Sequence, residues 1–70
     1  MKGRDFVKKI KVLGRRKGIT VEYDSSRGKG SHGRISYGNK GTTIKDLSKE
    51  LGVGLIHAML KQLGIDPSDF

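Results

Sequence analysis

The segment Gly28-Lys29-Gly30-Ser31-His32-Gly33-Arg34 places an imidazole and a hydroxyl between two cations, and Arg27 precedes it. A neutral imidazole can take a proton from a hydroxyl near physiological pH. Lysine and arginine beside it can neutralise charge growing on phosphate oxygens. They also disfavour imidazolium, which keeps His32 in the basic form that such chemistry needs. Ribose-phosphate chains suit this set without a metal, because the 2′-hydroxyl can attack the adjacent phosphorus once its proton is removed. The leaving 5′-oxygen then needs a proton, for which Ser31, Tyr37, Lys45 and water are the candidates. One histidine in this segment with scattered carboxylates makes a poor metal site, and the chain has no cysteine. No cofactor is implied.

Plainer readings stand beside this one. The glycines spell G-x-G-x-x-G, but a dinucleotide fingerprint requires a helix next within a βαβ unit, and a strand pattern follows here. The segment is not a P-loop either. An ordinary hairpin loop would use the same glycines, and an exposed histidine need have no task. The second histidine, His57, falls on the flank of an apolar helix stripe and reads as a surface or half-buried residue.

Three strands and two helices would position this segment. Phe6, Val7, Ile10 and Leu13 recur at helical spacing, so residues 4–13 read as an amphipathic helix ended by Gly14. Arg4, Lys8 and Lys11 form its cationic outer face, open to RNA or to a protein partner. Ile19 to Asp24 alternates apolar and polar as a strand does. His32 to Tyr37 is the second strand, with Gly33, Ile35 and Tyr37 on one face and His32, Arg34 and Ser36 on the other. Gly38-Asn39-Lys40-Gly41 is turn chemistry. Thr42 to Lys45 makes a third strand with Ile44 inward and Thr43 and Lys45 outward. Asp46 and Ser48 are candidate helix caps. Val53, Ile56, Met59, Leu60 and Leu63 mark a closing helix that Gly64 ends. The expectation is a single α+β domain over residues 1–70, ordered α-β-β-β-α. Its three-stranded antiparallel sheet has two helices on one face, and the other face is wet.

Charge indicates what meets that wet face. Residues 1–45 hold 13 basic and 3 acidic side chains (13 − 3 = +10), whereas residues 46–70 hold 2 and 4 (2 − 4 = −2). Such asymmetry points to a polyanion such as RNA. Two tyrosines and two phenylalanines are too few for a base-stacking platform, so binding should be to backbone and shape. The N-terminus lacks a secretory h-region and no run approaches a membrane span, which points to the cytoplasm.

Gly30-Ser31-His32, with Gly52-Val53-Gly54-Leu55 and the closing Met59-Leu60-Lys61-Gln62-Leu63-Gly64-Ile65, resembles the HicA family of small toxins from type II toxin–antitoxin systems. The likeness runs from the first helix to the last. It implies a fold like the double-stranded-RNA-binding domain and an mRNA-cleaving activity in which His32 is catalytic. Arg27, Lys29, Ser31, Arg34 and Lys45 would hold the RNA. It also implies a HicB-type antitoxin that covers the site. Many relatives carry a further proline or histidine near the third strand, where this chain has Ile44-Lys45-Asp46. Lys45 there supplies charge and not an acid of matched pKa. A non-catalytic double-stranded RNA module and a ribosome-associated basic protein are the competing expectations.

Overall fold

The computed structural model describes residues 1–25 and 33–70. The elements are α1 (Gly3–Lys17), β1 (Val21–Asp24), β2 (Gly33–Tyr37), β3 (Lys40–Ile44), α2 (Val53–Leu63) and a 3₁₀ turn (Pro67–Asp69). The strands form one antiparallel sheet in the order β1-β2-β3. This is the expected α-β-β-β-α order.

Helix α1 buries Phe6, Val7, Ile10 and Leu13, the apolar stripe seen in the sequence. It does not stop at Gly14. The helix runs on to Lys17 and ends at Gly18, which takes the left-handed conformation. Arg15, Arg16 and Lys17 in the last turn complement the negative end of the helix. Gly14 serves close approach instead: a Cβ there would come within 2.3 Å of Val21 Cγ2 and 2.8 Å of the Ile19 carbonyl oxygen. At the other end, the first amides of α1 are satisfied by the chain after β3. Gly3 N–H donates to the Lys49 carbonyl (3.1 Å) and Arg4 N–H to that of Leu47 (2.9 Å).

The first strand is shorter than the alternation suggests, beginning at Val21, although Gly38 N–H still donates to the Thr20 carbonyl at 2.9 Å. Tyr37 pairs with Lys40, so the β2–β3 hairpin turns on two residues, Gly38-Asn39. Gly38 has φ of 63° and no non-glycine residue has positive φ among the described residues. That is the type II′ pattern, whose twist matches paired strands. The four-residue turn read from Gly38 to Gly41 is thus two residues long. Consequently β3 starts and ends earlier than expected, and Lys45 lies beyond its end.

One face of the sheet carries Ile35, Tyr37, Thr42 and Ile44, all buried, with Val21 and Tyr23 half-buried beside them. Both helices share this core: Phe6 and Ile10 from α1, and Met59, Leu60 and Leu63 from α2. The Thr42 hydroxyl donates to Gln62 Oε1, tying β3 to α2. The stripe of α2 is not buried throughout, since Val53 is 72% exposed. The buried residues of α2 lie in its C-terminal half, where it meets β3. Asp46 and Ser48 do not cap α2, whose N-cap is Gly52. The Asp46 carboxylate instead accepts from Ser48 N–H (2.8 Å) and the Ser48 hydroxyl (2.7 Å), a local turn. Phe70 closes the chain against Phe6, ring centroids 5.3 Å apart.

Candidate functional site

Arg27, Lys29, Ser31 and His32 lie outside the described residues. The described part of the site begins at Gly33, the first residue of β2. Alternation along β2 buries Gly33, Ile35 and Tyr37 and turns Arg34 to solvent. The register puts Arg34 directly across from Thr43 on β3 and from Asp24 on β1.

Arg34 does not simply project into solvent. Its guanidinium lies across β3 over Gly41: a Cβ on Gly41 would sit 2.8 Å from Nη2, 3.0 Å from Cζ and 3.1 Å from Nε. Ser36 pairs with Gly41, so Gly41 is the diagonal neighbour of Arg34 on the outward face. Any side chain at 41 would occupy the place that the guanidinium takes. In the sequence Gly41 falls within turn chemistry, which hides its place beside Arg34. A two-residue turn, once recognised, would have put Gly41 diagonal to Arg34. From there Arg34 lines a groove of about 490 Å³ between β3 and α2, with Gly41, Thr43, Leu55, Ala58 and Gln62.

Lys45 is exposed and borders a second, smaller groove that shares Thr43, Leu55 and Met59 with the first. Arg34 and Lys45 therefore flank a common wall and do not line the same groove. Tyr37 is 8% exposed, in the core on the face away from Arg34. It is thereby removed from the proton-donor candidates. Glu22 and Asp24 point outward on β1, beside Ser36 and Arg34. Among the described residues the wet face is therefore mixed in charge.

Beneath the start of β2, Tyr23 packs its ring against Gly33. A Cβ on Gly33 would come within 2.1 Å of the Tyr23 oxygen and 2.4 Å of Cζ, so glycine is what the position admits. Among the described residues the Tyr23 hydroxyl is buried with no hydrogen-bond partner. His57 is exposed on α2, as its position on the flank of the apolar stripe suggests. Among the described residues no three histidine or carboxylate side chains converge to hold a metal ion. No helix there is long and apolar enough to cross a membrane.

Comparison with protein-family models, with curated proteins and with solved structures finds no match to this chain.

Proposed function

We propose that this chain is a HicA-type toxin: a cytoplasmic endoribonuclease that cleaves mRNA without a metal and is silenced by a HicB-type antitoxin. The observation that carries the reading is the Gly30-Ser31-His32 triplet set immediately before Gly33, the start of a strand whose next residue, Arg34, faces solvent. The α-β-β-β-α order supports it, since that is the order the resemblance implies.

On this reading His32 is the general base. It takes the proton of a ribose 2′-hydroxyl, whose oxygen forms a bond to the adjacent phosphorus as the bond from phosphorus to the 5′-oxygen breaks. Arg34, with Arg27 and Lys29, neutralises the charge that gathers on the phosphoryl oxygens. The departing 5′-oxygen takes a proton from Ser31 or water. The products are a 2′,3′-cyclic phosphate and a 5′-hydroxyl. Lys45, exposed beyond β3, holds the RNA backbone at the second groove.

The test is cleavage of RNA by purified protein in EDTA, with cyclic phosphate ends scored. His32→Ala should stay folded and lose cleavage by two or more orders of magnitude. An alanine variant that cuts like wild type overturns the assignment. A protein that binds duplex RNA and never cuts it would be the non-catalytic module.

A further inference from the structure

Helix α1 carries seven basic residues and one acidic residue, a net of +6 (7 − 1), out of +8 for the whole chain. The fold uses two of those cations internally. Lys17 Nζ pairs with Asp69 at 3.1 Å, and Lys9 Nζ stands 4.5 Å from the centroid of the Phe70 ring. Arg4, Lys8, Lys11 and Arg15 are exposed, and among the described residues no hydrogen bond or ion pair engages their side chains. Their spacing of i, i+4, i+7 and i+11 sets them in one row along the helix, about 16 Å long at 1.5 Å per residue.

The row has a definite place in the fold. Lys11 and Arg15 line a shallow groove of about 420 Å³ with Ile19, Thr20 and Val21, at the edge strand β1. Arg34 and its groove lie at β3, the opposite edge. Two interstrand steps, about 10 Å, separate the edge strands. A chain held by the row is therefore not held by the same contacts as one lying at Arg34.

We infer that Arg4, Lys8, Lys11 and Arg15 form a second docking surface, one that tracks a nucleic-acid backbone and lies apart from the sheet face that does the chemistry. The row contains no apolar or aromatic anchor, whereas protein interfaces have a core depleted in charge and built around such anchors. The most exposed apolar residues, Val53 and Leu55, are on α2, and the one on α1, Val12, is a single small side chain flanking the row. A line of unengaged cations without stacking groups suits phosphates in sequence and reads no bases. The identity of the polyanion as RNA rests on the function proposed above; the surface itself does not.

Binding of a 2′-O-methyl RNA 20-mer, which lacks the hydroxyl needed for cleavage, tests the row by titration from 50 to 200 mM salt. The variant Lys8→Gln/Lys11→Gln/Arg15→Gln is compared with Arg16→Gln/Lys40→Gln/Lys61→Gln, which removes the same charge off the row; circular dichroism checks both folds. At about 0.7 per phosphate contact, the row variant should show a log–log salt slope shallower by about 2, so its affinity falls about 20-fold less across the titration. The control should keep a slope close to that of wild type. Equal changes in the two variants, or none in either, overturn the inference. Retained RNA binding with loss of polyglutamate binding in the row variant would make the row a protein-docking surface and also overturn it. Failure of wild type to cut ordinary RNA sinks the nuclease reading and leaves this measurement intact.

Discussion

Replacing Gly41 with alanine should act on RNA through Arg34 and through nothing else. The added Cβ would lie 2.8 Å from Nη2, and ordinary contact begins at 3.4 Å, so the guanidinium must retreat by about 0.6 Å (3.4 − 2.8). Cζ and Nε, at 3.0 and 3.1 Å, are pushed the same way, so the guanidinium is lifted off β3 and not merely turned. The strand itself gains, since alanine in a strand interior is favoured over glycine by about 0.5–1 kcal/mol. Hydrogen bonds to charged groups contribute about 1.5–3 kcal/mol, which sets the loss for Arg34→Ala at roughly 10- to 150-fold in kcat/KM. Gly41→Ala should lose about tenfold, because the arginine is displaced and not deleted. The decisive comparison is the double variant. In an Arg34→Ala background, Gly41→Ala should change kcat/KM by less than about twofold, since the group it displaces is gone. Cleavage of an RNA oligonucleotide by the four proteins gives the cycle, and urea melts confirm that all are folded. Losses that simply add on a logarithmic scale would show that Gly41 acts by another route, and the geometry assigned to Arg34 would be refuted.

Other substitutions test the framework beneath the site. Gly14→Ala raises helix propensity by about 1 kcal/mol yet drives a methyl group against Val21 and a carbonyl oxygen, so a net destabilisation of about 1–3 kcal/mol should appear in urea melts. Tyr23→Phe removes a buried hydroxyl that has no partner among the described residues, so thermal melts should show stability equal to or above that of wild type, by up to about 1 kcal/mol. Asp66 is held below the ordinary 3.8, first by the Ser68 N–H and then by the Ser68 hydroxyl. Its contribution to the closing turn is therefore present above that value and is lost as pH falls through the lower folded pKa. A carbon-detected titration should place the Asp66 midpoint below 3.8, and Ser68→Ala, which removes the hydroxyl but keeps the backbone N–H that is the larger cause, should raise it only part of the way back.

The periodic part of the fold was legible. Gly33, Ile35 and Tyr37 on one face, and Phe6, Val7, Ile10 and Leu13 along one stripe, lie where alternation and helical spacing put them. Glycine was where the reading failed, because one residue type serves three physical purposes. Gly18 ends a helix, Gly38 supplies the positive φ of a turn, and Gly14 and Gly41 make room for a neighbour. The neighbour comes from elsewhere in the fold: Val21 for Gly14 and Arg34 for Gly41. Nothing local to Gly14 distinguishes it from a helix stop, so the helix was cut a turn short. Fixing Gly41 in the turn had a larger effect, since it also shifted β3 and put Lys45 on a strand face that it does not occupy. Burial of Val53 failed for a related reason. Spacing shows which residues share a stripe, but not how much of that stripe the sheet beneath reaches.

Charge along the chain likewise concealed charge in space. The excess of cations before residue 46 suggested a basic sheet face, yet α1 alone holds +6, leaving +2 (8 − 6) for all other residues together. On the outward side of β1, Glu22 and Asp24 oppose Ser36 and Arg34. The described part of that face offers a polyanion little field. Screening limits surface attraction to about 8–10 Å at physiological salt, so capture belongs to whichever surface has the densest unengaged charge. Among the described residues that surface is the α1 row. What the sheet face offers is placement: one guanidinium held down on β3 by a missing side chain, two residues along the chain from His32. Arg34 can then be fixed without adding the undirected affinity that a uniformly basic face would bring.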